Sequence, residues 1–274
     1  MSSVLDHLVI NARFELDAAA DIFAGLGFTL TPRGHHSLGS INHLIMFREG
    51  YLELIGLPPG GERVRQEILD STVGIDGLVL ASDDPYHTHA ALVEQGFDVQ
   101  DVQHFSRPVD IDGAVHDARF GTVRLQPGQF AAGRVYFCHH ETPELVWRPE
   151  WLGHASGVWA IERLTAVSAD PGSTSQSLDR LVPDGDGRTL PQRTTLPGGF
   201  HMEVLDANAW RERAGPSAIF AGERPERFVA IGLRGGDHAD IARRATSLGL
   251  PIRQQDERLS VAIPALDTVL EFLP

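Results

Sequence analysis

The sequence predicts an α+β protein of four βαβββ modules paired into two domains. Three observations carry that expectation. Residues 5–55 read as a strand, a helix and three short strands; the same order recurs three more times along the chain; and the helix-to-strand junctions rhyme as GLGFTL, EQGFDV and SLGLPI.

Residues 5–12 read LDHLVINA, an alternating run that puts Leu5, His7 and Val9 on one face and Asp6, Leu8 and Ile10 on the other, as a strand does. Leu16, Ala19, Ile22, Phe23 and Leu26 then fall at helical spacing. Asp17 can cap the start and Gly27 stands where a left-handed terminus favours glycine, so residues 17–26 read as a helix. Three apolar runs follow at 28–31, 40–47 and 51–55, separated by turn chemistry. A charged link over 58–72 has room for a short helix at 64–69. The second module reads as strand 74–82, helix 85–95, strand 96–99 and, after an insertion, strands 119–125 and 134–138. The third is degenerate: strand 161–168, a helix over 173–181 opened by a Ser173/Gln176 capping box, and strands near 188–196 and 200–205. In the last, strand 228–233 leads to a helix capped by Asp237 and closed by Gly249, then strands 252–255, 259–263 and 269–273.

A chain of 274 residues with 42% hydrophobic content can bury two cores. The boundary is expected near Gly153, which gives domains 1–153 and 154–274. With 23 basic against 37 acidic residues the net charge is −14, and no basic cluster breaks the balance, which argues against nucleic acid and anionic membrane as partners. No apolar run approaches the roughly eighteen residues of a membrane span, and the N-terminus has no basic, apolar, cleavable segment, so a cytoplasmic location is expected. The single cysteine, Cys138, excludes an intrachain disulfide framework and reads as a small core residue. No GxSxG, GxxxxGK[ST], HExxH or CxxC occurs, against serine hydrolase, P-loop, zincin and thioredoxin-like chemistry.

Four such modules, a first strand reading DHLVI and the stretches NHLIMFREGYLELIG and HHETPELVWRPEW resemble the vicinal oxygen chelate superfamily in its glyoxalase-like branch, built from glyoxalase/bleomycin-resistance-type modules. The resemblance covers nearly the whole chain. It implies that paired modules form a concave cup into which the first and last strand of each module project ligands. The superfamily includes isomerases, ring-cleaving dioxygenases, antibiotic-modifying enzymes and drug-sequestering proteins, so fold alone does not choose an activity.

The resemblance points to His7 and Glu53 as catalytic residues and metal ligands, and imidazole with carboxylate suits zinc, iron, manganese or nickel. The partner module departs from the pattern: Gly77 aligns with His7 and Tyr136 with Glu53. His140, shortly beyond, is a candidate third ligand, and a metal-free cup stands as an equal expectation. Glu53 is the firmer signal, because a carboxylate between Leu52 and Leu54 costs folding energy unless it is paired or used. In the second half Arg163, Glu203, Val229 and Glu271 take the corresponding positions, and an arginine beside carboxylates suggests an ion-pair network. Candidate substrate contacts are His43, which faces opposite to Asn42; Arg107 on the insertion; Tyr136; His140; and Trp147, in a connector that could fold over the cup's mouth.

Two main functions follow. One is a lyase, isomerase or dioxygenase acting on a small oxygenated metabolite in the first-half cup. The other is a metal-free protein that sequesters a planar small molecule against Tyr136 or Trp147. A scaffold whose modules matter only for a homodimer is a third, and pairing within one chain or between two stays open.

Overall fold

The computed structural model describes residues 4–60, 64–182, 193–218, 224 and 226–274. The N-terminal alternating run forms β1 (Leu5–Arg13), buried from Asp6 through Ala12. The helix α1 (Leu16–Gly25) follows, but Asp17 does not cap it: the position before the helix is Glu15, whose side chain makes no cap bond, and Asp17 sits within the first turn, where it favours the helix dipole and pairs with Arg33. Gly27 has φ +92°, and a Cβ there would lie 2.9 Å from the Ser156 nitrogen, so both conformation and close approach require glycine.

Residues 28–31 stay outside the sheet, and the first module continues through β2 (Gly34–His35), β3 (Ile41–Met46) and β4 (Tyr51–Gly56). The charged link carries the five-residue helix α2 (Gln66–Asp70). The second module opens with β5 (Gly74–Ala81) and α3 (Pro85–Glu94), capped by Asp84. Its expected strand at 96–99 shrinks to one bridge between Val99 and Leu125. The insertion supplies that strand instead, as the hairpin β6 (Gln103–Ile111) and β7 (Ala114–Arg124). Asp112 and Gly113, at φ +53° and +82°, form its two-residue turn, the geometry that an Asp-Gly pair favours. β8 (Arg134–His140) completes the module.

One sheet holds these strands in the order β2-β3-β4-β1-β5-β8-β7-β6. β1 pairs parallel with β4, β5 parallel with β8, and β1 antiparallel with β5, so the two modules meet within one chain. At the far edges the Ser37 N–H donates to the Ser106 carbonyl at 3.2 Å, which curls the sheet toward closure.

The second half repeats the plan: β9 (Val158–Ser168), α4 (Pro171–Arg180), β10 (Arg193–Thr195), β11 (His201–Leu205), α5 (Ala207–Ala214), β12 (Glu226–Gly235), α6 (His238–Ser247), β13 (Ile252–Gln255), β14 (Arg258–Ile263) and β15 (Thr268–Leu273). Its sheet order is β10-β11-β9-β12-β15-β14-β13. The capping box at Ser173 gives way to Asp170, whose carboxylate accepts the Ser173 N–H two residues after a proline suited to the first turn. Residues 188–192 of the expected strand lie outside the described residues. α5 was not expected; its apolar content is little more than Trp210 and alanine.

The helix-covered faces of both sheets share one continuous core, including Leu8, Phe23, Phe28, Leu164, Ile231 and Phe272. His154 bolts the halves together. Its Nδ1 accepts the Thr29 N–H at 3.0 Å, so Nε2 carries the proton and donates to the Met46 carbonyl at 3.0 Å, with Phe28 and Phe47 against the ring. No described helix is long and apolar enough to cross a membrane.

Burial lowers the His154 pKa, against the Met46 bond that raises it. The unfolded chain therefore takes up a proton at a pH where the folded one does not, and the stability this gives is present above about pH 6.5 and lost as pH falls below it. Urea unfolding between pH 7 and 5 should show this loss in the wild type and a flatter profile in His154→Gln; parallel profiles would remove His154 from the acid response.

Candidate functional site

β3, β4 and β1 run side by side, with Leu44 opposite Glu53 and Val9 opposite Glu53 from the other flank. Alternation then sends Asn42, Leu44 and Glu53 into the concave face and His43 out of it. His43 lies toward the helices, where its Nδ1 bonds the Thr31 carbonyl at 2.8 Å. It takes no part in the cup. Asn42 does: its amide donates to Glu53 Oε1 at 2.7 Å.

Glu53 is 6% exposed, and two imidazoles flank its carboxylate. His7 Nε2 stands 3.7 Å from Oε2 and His36 Nε2 stands 3.8 Å from Oε1. Burial works to raise the Glu53 pKa, but His36, His7, Asn42 and Arg65 together hold it below the usual carboxylate value. The buried carboxylate is ionised. Burial also lowers His36, to about 4, in spite of Glu53, so its imidazole is neutral at pH 7.

His7 is oriented from behind. The pairing of β1 with β5 slips between Leu5 and His7, and this bulge breaks the alternation expected of Asp6. The Asp6 carboxylate meets His7 Nδ1 at 2.5 Å and His140 Nε2 at 3.1 Å. His7 therefore donates through Nδ1 and presents the lone pair of Nε2 to the cup, where the Tyr136 hydroxyl lies 3.4 Å away. Burial would raise the Asp6 pKa, yet His140 and His7 bring it down to about 2. His140 stays among possible ligands, but in another grouping. Rather than joining His7 and Glu53 around one point, it is bonded to Asp6, which with Cys138 forms a separate group of three possible ligands.

Gly77 and Tyr136 occupy the aligned positions, but Gly77 leaves no room. A Cβ there would lie 2.8 Å from Val9 Cγ2, because Val9 fills the space. Tyr136 forms a wall, with Arg124 over its ring at 5.4 Å. Burial pushes its phenol pKa well up, so the hydroxyl stays protonated. Arg107, 4% exposed, points into the same space. No ion pair reaches it among the described residues, and its Nη2 has no partner.

What remains is a cavity of about 30 Å³, lined by His7, His36, Asn42, Glu53, Arg107 and Arg124 among others. That is about the share of one water molecule. Both ends are shut. The connector turns through Pro143–Leu145 and Pro149–Trp151, setting Val146 in the apolar lining and Trp147 against His140 and Tyr51 at 4.7 and 5.7 Å. At the other end α2 inserts Ile68.

The second cup is filled by protein. Arg163 meets Glu271 at 2.8 Å and Glu203 at 3.6 Å, Arg213 from α5 binds both carboxylates, and Trp210 of the same helix is fully buried among Val167, Ala230 and Val269. This is the ion-pair network expected. The position aligned with Gly77 is Ala230 rather than Val229, since Gly232 opposite Glu271 corresponds to Val79 opposite Tyr136.

Residues 5–182 match the glyoxalase-like domain family. The chain belongs to that family. No curated protein matches it significantly in sequence. Among solved structures it is similar to a hypothetical protein from Staphylococcus aureus at 13% identity, TM-score 0.64, over 98% of both chains. It is also similar to a mutant 4-hydroxymandelate synthase from Streptomyces coelicolor at 11% identity, TM-score 0.56, over 99% of this chain and 92% of that one. A xylose isomerase-like TIM barrel/4-hydroxyphenylpyruvate dioxygenase fusion protein matches at 12% identity and TM-score 0.55, over 99% of this chain and 49% of that one. These likenesses concern fold.

Replacing Asp6 by Asn should lower stability by about 2 kcal/mol at pH 7, the scale of a pKa brought from 3.8 to about 2. The group's folded pKa is depressed, so its contribution is present above pH 3.8 and lost on acidification toward 2. Urea unfolding of Asp6→Asn and wild type should therefore differ at pH 7 and converge in acid. A constant gap would mean that packing, not charge, distinguishes them.

Proposed function

We propose that this glyoxalase-like protein is a metal-dependent lyase, isomerase or dioxygenase, acting on a small oxygenated metabolite, with His7, His36 and Glu53 as ligands of one divalent ion. The observation that carries the reading is an ionised, buried Glu53 with an imidazole Nε2 on each side at 3.7 and 3.8 Å. The donor chemistry fits a metal. His7 and His36 each have Nδ1 engaged, by Asp6 and by Ser40, which turns each Nε2 lone pair to the cup, where an ion would displace the Tyr136 hydroxyl at 3.4 Å from one and the Asn42 amide at 3.3 Å from the other. Two histidines and one carboxylate suit ferrous iron and are accepted by zinc, manganese and nickel. Such an ion would supply Lewis-acid polarisation of a chelated substrate oxygen.

The chain's own groups then have definite work. Asp6 keeps the His7 tautomer that turns Nε2 to the cup. The Tyr136 hydroxyl, protonated and aimed at the same space, donates to an oxygen that gains negative charge. Arg107 offers an unpaired guanidinium to an oxyanion. Trp147 and the connector keep bulk water from that end, which strengthens each of these interactions.

The rival reading, sequestration of a planar molecule, has less support in the first cup. Trp147, one of its two expected stacking walls, is already packed on Tyr51 and His140.

Elemental mass spectrometry of untagged protein, purified without chelator, should find close to one divalent metal per chain, lost in His7→Ala, His36→Ala and Glu53→Ala. Once a substrate is known, Glu53→Ala should abolish turnover. Protein that stays metal-free when offered zinc, manganese, nickel or ferrous iron would contradict the metal reading and favour sequestration.

A further inference from the structure

Beside the cup lies a cleft of about 480 Å³, bounded by Glu67, Arg124, Leu125, Phe130, Arg134 and Tyr136 among others. Arg124 and Tyr136 line both spaces, so the cleft and the cup share a wall. At that wall the Glu67 carboxylate accepts hydrogen bonds from three guanidiniums: Arg65 at 2.9 Å, Arg124 at 2.7 Å and Arg134 at 2.9 Å. Arg134 is also held by Asp76, and Asp70 stands at the rim of the cleft. The arginines outweigh partial burial and keep Glu67 well below the usual carboxylate range.

Two features set this cluster apart from an ordinary structural ion pair. The three arginine side chains are largely buried, and Arg124 leaves its Nε without a partner, as Arg107 on the cup side leaves Nη2. Desolvated guanidinium groups with spare donors form a site for a planar anion. Glu67, by contrast, is 35% exposed in its side chain and rides on the five-residue α2, which has no side-chain cap at its start. Glu67 is thus the solvent-facing partner of the cluster and the guanidiniums the buried one.

We propose that the cleft binds a small organic carboxylate, whose carboxylate takes the place of Glu67 on Arg124 and Arg134 while its apolar part lies against Leu125, Phe130 and Tyr136. This deepens the functional reading by naming a substrate class for the same half of the protein. Glu67 is then an internal competitor for the guanidiniums at the wall the cleft shares with the cup.

The test is calorimetric titration with benzoate, at fixed ionic strength and in the absence of metal, so that it does not depend on the ligands of the cup. Removing the competitor in Glu67→Gln should tighten benzoate binding about tenfold relative to wild type, the scale of one charge-assisted hydrogen bond. Adding Arg124→Gln should return binding to the wild-type level or below. Should that double variant fail to fold, Arg124→Lys keeps the charge, loses the planar fork, and should still weaken binding. Benzamide, the uncharged analogue, should bind neither form. Equal benzoate affinity in wild type and Glu67→Gln, or affinity unaltered by the Arg124 change, would overturn the site. Inorganic phosphate binding as tightly as benzoate would overturn its assignment to carboxylates. Loss of metal binding with benzoate binding intact would instead leave this site standing and remove the metal reading.

Discussion

An ionised carboxylate held inside an apolar, nearly closed cup is the constraint around which the first half is arranged. Left alone, Glu53 would cost several kcal/mol of desolvation or take up a proton. That cost is offset because Asn42 donates to one oxygen and the nearby Arg65 charge favours the anion. The imidazoles beside the carboxylate in turn need support. Asp6 steadies His7 and Ser40 steadies His36, so the polar network reaches from the bulge in β1 to the loop after β2.

The second half shows another answer to the same demand. Glu203 and Glu271 stand in places equivalent to Glu53 and Tyr136, and guanidiniums cover them: Arg163 from the strand, Arg213 from α5 and Arg258 from β14. Glu271 is fully buried among these arginines. Trp210 of α5 is fully buried in a separate apolar cluster with Val167, Ala230 and Val269. One fold, used twice, holds a site where imidazoles flank the carboxylate and a structural ion cluster where arginines do.

The modules were legible because their signals are local: alternation in residues 5–12, helical spacing in 16–26 and glycine after the helices. Glu53 and the second-half ion pairs could be found for a related reason, since a charge within an apolar strand stands out. Arg124, in FGTVRL, offered the same anomaly. The Asp112-Gly113 pair offered the hairpin. His36 gave no such signal. It lies in an irregular loop, and only the curl of the sheet brings it to Glu53. Asp6 was assigned to the wrong face because a bulge is invisible to a period of two. At Gly77 the alignment showed the missing ligand but not its consequence, that Val9 takes the space.

The protonation state of Glu53 tests the account most directly. Infrared difference spectra between wild type and Glu53→Gln, recorded at neutral pH in metal-free protein, isolate this one carboxyl group. An ionised group should appear as a carboxylate band absent from the variant, persisting as pH is lowered through the usual carboxylate range. A protonated carbonyl band at neutral pH, lost in Glu53→Gln, would contradict it.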